Sequence, residues 1–142
     1  MRLVDANVLL YAVNASSAQH EPARRWLDAS LTGSETVGFA WTVLLAFLRL
    51  STHPAVFPRP LTIEQATRTE RDWLAQPAAV LVEPTRRHLD LVAGLLANAG
   101  TAGNLVSDAH LAALAIEHDA VLVSFDADFG RFAGLRWERP AG

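Results

Sequence analysis

Arg2-Leu3-Val4-Asp5-Ala6-Asn7-Val8-Leu9-Leu10-Tyr11 is a short apolar run that ends in an acid and passes at once into helix-forming sequence. Residues 2–5 read as a buried strand. Ala6–Val13 reads as the start of a helix, with Asn7 a candidate cap. The same strand-then-helix unit recurs outward along the chain. His20–Leu31 predicts a helix, because Pro22 suits a first turn and Ala23, Trp26 and Leu27 share one face. Residues 36–40 predict a second strand. Trp41–Ser51 is apolar on nearly every side and predicts a largely buried helix. Three prolines make residues 52–61 a loop. Residues 62–75 form a helix opened by a Thr62–Gln65 capping-box pattern.

Ala79–Val82 is a third strand, and 85–99 an amphipathic helix closed by Gly100. Residues 104–118 predict a further helix, 121–124 a fourth strand, 126–132 a turn or short helix, and 135–138 a last strand. Each strand is short and apolar on both sides, and strands alternate with helices. The expectation is an α/β fold, a three-layer sandwich with a central parallel sheet of about five strands. With 142 residues, the chain fits a single domain over 1–142.

Composition bounds the chemistry. The chain is 51% hydrophobic and 19% charged, which is globular and excludes disorder. It has no cysteine, so disulfides, thiol nucleophiles and zinc–thiolate sites are excluded. All 12 bases are arginine, so a Walker A loop and a lysine Schiff base are excluded too. The start lacks a basic segment followed by an apolar run, and no uncharged apolar stretch is long enough to span a membrane. A cytoplasmic location is the expectation. A net charge of −3 argues against a globally basic nucleic-acid binder.

In parallel sheets, ligands sit at the carboxyl ends of strands. Asp5 closes the first strand there. Asp126 and Asp128 follow the fourth, in Val121-Leu122-Val123-Ser124-Phe125-Asp126-Ala127-Asp128-Phe129. Asp108 lies near the start of the helix before that strand, on the same edge. Three separate segments thus deliver carboxylates to one crevice. Such carboxylates repel, and a divalent cation relieves them. Mg²⁺ takes oxygen ligands and commonly uses one or two carboxylates plus substrate phosphate. The expected metal and catalytic residues are Asp5, Asp108 and Asp126, with Asp128 a possible auxiliary.

These segments also carry a resemblance. Val4-Asp5-Ala6-Asn7-Val8-Leu9-Leu10-Tyr11, Ser107-Asp108-Ala109-His110-Leu111-Ala112 and Ser124-Phe125-Asp126-Ala127-Asp128-Phe129 resemble the ordered acidic motifs of PIN domains. Trp41-Thr42-Val43-Leu44-Leu45-Ala46-Phe47-Leu48-Arg49-Leu50, with Thr52-His53-Pro54 after it, is similar to their helix after the second strand. The resemblance spans nearly the whole chain and points to the VapC toxin branch. It implies a Mg²⁺- or Mn²⁺-dependent endoribonuclease that cuts RNA, the toxin of a toxin–antitoxin pair. It also implies a homodimer and a cognate antitoxin protein that occludes the site. One departure stands out: the glutamate the family usually places in that helix corresponds to Ala46, and Glu35 lies too early to replace it.

Other side chains have bland readings beside sharper ones. His20 and His110 read as capping, packing or surface residues, His110 because two positions on from Asp108 a helix points elsewhere. Arg24, Arg25, Arg49, Arg86 and Arg87 read as solvated or salt-bridging, with phosphate contact as the alternative. Trp26, Trp41, Trp73 and Trp137 read as packing rather than base-stacking residues. Asn7 is equally a cap or an orienting group for Asp5. Thr101, Asn104 and Ser107 share the start of the Asp108 helix. Two other functions compete with the nuclease. One is a catalytically weakened domain that binds RNA or antitoxin. The other is a receiver-like phosphohydrolase, against which the missing lysine counts.

Overall fold

The computed structural model describes residues 1–100 and 105–141. Its sheet is built from β1 (Arg2–Val4), β2 (Val37–Ala40), β3 (Ala79–Val82), β4 (Val121–Val123) and β5 (Trp137–Glu138). Their spatial order is β3-β2-β1-β4-β5, and every neighbouring pair is parallel. The helices are α1 (Ala6–Val13), α2 (His20–Leu31), α3 (Trp41–Ser51), α4 (Ile63–Leu74), α5 (His88–Ala99) and α6 (Leu105–Glu117). A 3₁₀ turn, Ala127–Arg131, follows β4. The expected five-stranded parallel α/β sandwich is the fold observed.

The order in which strands are added reverses between β1 and β4, while every strand keeps the same direction. Strand order runs 2 then 3 on one side of β1, and 4 then 5 on the other. This is the topological switch point, where a crevice opens beyond the carboxyl ends of the strands. Leu3, Val4, Leu122 and Val123 fill that seam and are fully buried. Phe39, Phe47, Leu44, Val8 and Leu9 pack the layers over it. Gly38 in β2 is required by close packing: a Cβ there would stand 2.7 Å from the Val82 side chain and 3.1 Å from the Met1 sulfur.

Local chemistry sets the helix boundaries. Thr62 and Gln65 form the expected reciprocal capping box on α4, at 3.1 and 2.9 Å. Gly100 ends α5 with φ +94°, which a Cβ disfavours. The cap of α1 is Asp5, not Asn7. Its Oδ1 accepts from the Ala6 amide at 2.7 Å. The helix begins directly after the strand, so the cap is the residue that ends the strand. Helix α5 starts at His88, three residues later than the sequence pattern suggests, behind a turn at Thr85.

Two burial expectations are corrected. Helix α3 is not buried all round: Trp41 is 49% exposed and Leu45 57%. The edge strand β3 is likewise uncovered on part of its surface, where Val80 and Leu81 reach solvent. An apolar residue in sequence marks a preference for burial; it does not say which surface does the burying. No helix among the described residues is long and apolar enough to cross a membrane.

Candidate active site at the β1–β4 switch point

A cleft of about 480 Å³ opens beside the carboxyl end of β1. Asp5, Ser107, Asp108 and His110 line one part of its wall, and Thr42, Ala46 and Arg49 of α3 line another. Leu45 and Val106, both exposed, form an apolar rim. The position counted for the family's glutamate, Ala46, therefore does face the cleft. Glu35 does not: it bonds to Arg2 at the opposite end of the sheet.

Asp5 is held on both oxygens. Oδ1 accepts from the Ala6 amide, and Oδ2 accepts from the Ser124 hydroxyl at 2.7 Å. Ser124 is fully buried at the end of β4. Its Oγ in turn accepts from the Asn7 amide at 3.1 Å and from the Asp126 backbone amide at 3.0 Å. Asn7 Oδ1 accepts from the Phe125 amide at 3.2 Å. Asn7 thus acts on Asp5 through Ser124. The side chains of Asp5, Asn7 and Ser124 lock the ends of β1 and β4 together and fix the carboxylate's direction. Each Asp5 oxygen keeps a further lone pair for a ligand.

The electrostatics join three chain segments. Burial pushes the Asp5 carboxyl above its ordinary range; the bonds from Ser124 and Ala6 pull it back, and the charge of Asp126 adds to the push. Asp108 is raised by burial, then by Asp126 and Asp5, with Asp128 adding to this and Arg131 opposing it. Like charges from the end of β1, the first turn of α6 and the turn after β4 therefore act on one another across the switch point.

The three are not equivalent. Asp5 and Asp108 line the cleft, whereas Asp126 is not among its lining residues. Its Oδ1 accepts from the Asp128 amide at 2.9 Å and caps the 3₁₀ turn. Asp128 is exposed and faces Arg131 at 3.3 Å. Among the described residues, no three His, Asp or Glu side chains close into a ready-made metal cage. What is present is an open pair of carboxylates with a third charge beside it. That donor set is all oxygen and electrostatically strained. It fits a hard divalent cation that keeps waters and takes further oxygens from a phosphate.

The remaining candidates divide. His20 Nδ1 lies 2.9 Å from the Tyr11 carbonyl and ties α2 to α1, as a packing residue. Arg24 and Arg25 pair with Glu21 on the surface. Arg49 lines the cleft. Trp73 packs edge-on against Phe47 at 5.0 Å. Ser107 also lines the cleft, while Thr101 and Asn104 lie outside the described residues. His110 departs from expectation: it lines the cleft, and its ring is hydrogen-bonded to His88. Burial first, then the neighbouring His88, lowers its pKa, and Glu117 opposes this. Ser124 and the His88–His110 contact were not legible as site features. The position of Ser124, two before Asp126 at a strand end, is the signal that was present.

An acid-lined crevice at the switch point of a five-stranded parallel sheet defines a class: α/β folds whose ligand site lies at the carboxyl ends of the strands. Comparison with known proteins narrows it. The PIN domain family model matches residues 2–135. Ribonuclease VapC37 of Mycobacterium tuberculosis is 60% identical over 140 residues, covering 99% of this chain and 97% of that protein. Ribonuclease VapC33 of the same species is 41% identical, covering 99% and 98%. In structure, VapC20 of M. tuberculosis, described as a sarcin-ricin loop cleaving toxin, matches with a TM-score of 0.69 at 18% identity, over 96% of this chain and 99% of that one. VapBC2 from Rickettsia felis, bound to a DNA fragment from its promoter, matches at 0.71 and 20% identity, over 97% of each chain. This chain belongs to the PIN-domain family, in its VapC ribonuclease branch. PIN-domain ribonucleases are generally metal-dependent.

Proposed function

We propose that the chain, acting as one domain over 1–142, is the toxin of a toxin–antitoxin pair and cuts RNA with Asp5, Asp108 and Asp126. One observation carries the site assignment. Asp5 and Asp108, from two distant segments of the chain, line one cleft, and the charge of Asp126 bears on both. A fold retains such mutual repulsion where a cation is to be bound.

The reaction is hydrolysis: water attacks phosphorus, and one bridging oxygen of the phosphodiester leaves. A bound Mg²⁺, or Mn²⁺ in its place, supplies positive charge to the phosphate and acidifies water. The residues of the chain do the holding. Asp5 and Asp108 are the ligands from the cleft wall, and Asp126 completes the negative field from the turn. Ser124 and Asn7 keep Asp5 aimed. Arg49, which also lines the cleft, would take a phosphate oxygen.

An antitoxin protein as partner follows from the VapC branch, and the exposed apolar rim at Leu45 and Val106 suits a protein cover over the cleft. A homodimer and a cytoplasmic location go with the same reading. A second reading, an RNA- or antitoxin-binding module of weakened activity, has one observation behind it: Ala46 stands in the cleft wall where an acid is expected.

The test is cleavage of total bacterial RNA with and without Mg²⁺ or Mn²⁺. Asp5→Asn and Asp108→Asn are each expected to lower the rate by about 100-fold or more, the scale of losing one organising charge in an active site, with the fold intact by circular dichroism. Parent-like cleavage by both variants would reject the site. RNA binding without turnover in either metal would favour the second reading.

A further inference from the structure

The end of β5 carries a cation that the carboxylate chemistry above does not use. Arg139 directly follows that strand. Pairing in this part of the sheet sets Val4 beside Val123 and Val123 beside Glu138. The ladder runs one residue further. The Asp5 amide donates to the Val123 carbonyl, and the Ser124 amide to the Glu138 carbonyl, each at 3.0 Å. Asp5, Ser124 and Arg139 therefore form one row across the carboxyl ends of β1, β4 and β5. The first two already touch through their side chains, at 2.7 Å. Neighbouring strands lie about 4.8 Å apart, so the backbones of Asp5 and Arg139 stand about 10 Å apart.

The Arg139 side chain is held without being neutralised. The residue is exposed, but Pro140 behind it is buried and fixes the backbone. Its guanidinium carbon lies 5.6 Å from the centroid of the Phe125 ring, a cation–π contact. Phe125 is itself fixed: its amide donates to Asn7 Oδ1, and its ring meets Tyr11 edge-on at 5.3 Å. It is also the residue immediately before Asp126. Other arginines of this region are spent on acids: Arg2 on Glu35 and Glu138, Arg131 on Asp128, and Arg136 on Asp119. Arg139 has no acid partner among the described residues. It does not cancel the field of the site either, because Arg131 is the one base whose charge bears on Asp108, and no base bears on Asp5.

A guanidinium stacked on a ring keeps the N–H donors along its edge, and its fixed plane loses little freedom on binding. Phosphate oxygens are acceptors that match such an edge. A nucleic-acid strand with one phosphate at Asp5 and Asp108 must carry its next phosphates past the neighbouring strand ends. Arg139 stands beside the acids without joining them, on the β5 side.

Building on the ribonuclease reading of the cleft, we propose that Arg139 binds an RNA backbone phosphate flanking the one under attack, and that Phe125 is the positioning residue for its guanidinium. RNA then runs from the cleft over the Asp126 turn towards β5.

Two measurements test this, both on the full-length Asp108→Asn chain without metal, so that RNA is bound and not cut. The first is affinity for a single-stranded oligoribonucleotide, read by fluorescence anisotropy as salt is raised. Arg139→Gln is expected to weaken binding about fivefold, the upper scale of an exposed ion pair. It should also reduce the steepness of log affinity against log salt by about 0.7, the value of one phosphate contact on a single strand. Arg24→Gln removes the same charge from the exposed surface of α2 and should leave the steepness unchanged. Phe125→Leu keeps the charge and should weaken binding by a smaller factor. An unchanged slope in Arg139→Gln, or equal changes in both arginine variants, overturns the proposal; parent-like affinity in Phe125→Leu overturns the positioning role.

The second measurement uses an oligoribonucleotide spanning a cut mapped with the parent, with uncharged methylphosphonate linkages introduced one at a time. One linkage beside the cut should lose the same factor of about five, and Arg139→Gln should abolish that loss, as expected for two groups in contact. Losses that simply add to that of Arg139→Gln at every linkage overturn the proposal. The two readings fail separately. A parent that cuts no RNA in Mg²⁺ or Mn²⁺ rejects the ribonuclease reading, while the salt slope still decides whether Arg139 meets a phosphate. A parent that cuts RNA, with an unchanged slope in Arg139→Gln, rejects the Arg139 contact alone.

Discussion

The two ends of the sheet treat acids in opposite ways. At the amino ends of the strands, each acid meets a base: Glu35 and Arg2 before and in β1–β2, Asp119 and Arg136 before β4 and β5, the latter pair at 2.8 Å. At the carboxyl ends of β1 and β4, acids meet acids. Asp5 feels Asp126, Asp108 feels both, and Arg131 is the one base acting on Asp108. The same side-chain chemistry is neutralised at one end and concentrated at the other. Paired acids contribute modest stability; crowded ones cost stability and create a place for a cation. The asymmetry separates scaffold from site without reference to any relative.

It predicts opposite signs for one kind of substitution. Asp108→Asn, expected above to abolish most cleavage, removes a like charge from the crowd. The ion-free protein should therefore melt at a higher temperature than the parent, and the gain should shrink when Mg²⁺ is added. A lower melting point in the ion-free variant would break the comparison, because Asp108 would then be acting as a structural residue.

Glu70 is a third kind of acid and gives the largest expected effect on stability. It lies on the buried stripe of α4 with Ala66, is 8% exposed, and its Oε2 has no partner among the described residues. Burial pushes its pKa from the ordinary 4.5 up to about 7. The folded state thus holds a proton that the unfolded state releases. Stability contributed by the protonated form is full below pH 4.5, falls as pH rises towards 7, and is lost above it. The loss amounts to about 3 kcal/mol. Glu70→Leu should flatten the dependence of the urea midpoint on pH across this window and raise stability at pH 8 by about 1–3 kcal/mol. Parent and variant with the same pH slope would refute the assignment.

Ala46→Glu sharpens the comparison from the other side, by adding an acid to the crowded end. The residue faces the cleft, so the new carboxylate should raise Mg²⁺ affinity by about tenfold in isothermal titration calorimetry, the scale of one organising ligand. Ion-free stability should fall. A gain in cleavage would mark the parent as catalytically weakened. Tighter binding with no gain in cleavage would show that the three aspartates already suffice.

These contrasts explain what was legible in the chain. Residue-by-residue signals with a local physical cause were readable: the Thr62–Gln65 box, the Gly100 stop, the acid at the end of β1, and the parallel order of short apolar strands. Three aspartates at one edge followed from topology, since strand ends and the following turns of a parallel sheet share an edge. Features fixed by long-range contact were not readable. Ser124 donates across the seam to a residue 119 positions away. His88 meets His110 from another helix, so helical spacing from Asp108 alone gave the wrong direction for the ring. The exposed faces of Trp41 and Leu45 look like core in sequence, because the signal for a core and for a rim awaiting a partner is the same.

The smallest expected effect decides a substitute role for Glu35. It is the acid nearest in sequence to the one missing at Ala46, so an alternative is that it reaches the cleft from before β2. Its geometry opposes this: the carboxylate is 54% exposed and bonds to Arg2, at the amino end of β1, while Asp5 lies past the other end of the same strand. Glu35→Gln should then cost only about 0.5 kcal/mol, because an exposed pair is screened by solvent, and the cost should shrink further in high salt. Cleavage and Mg²⁺ affinity should equal the parent's. A fall in either, without a matching fall in stability, would mean that Glu35 leaves Arg2 and swings to the metal, and the clean division between paired and crowded acids would fail at its scaffold end.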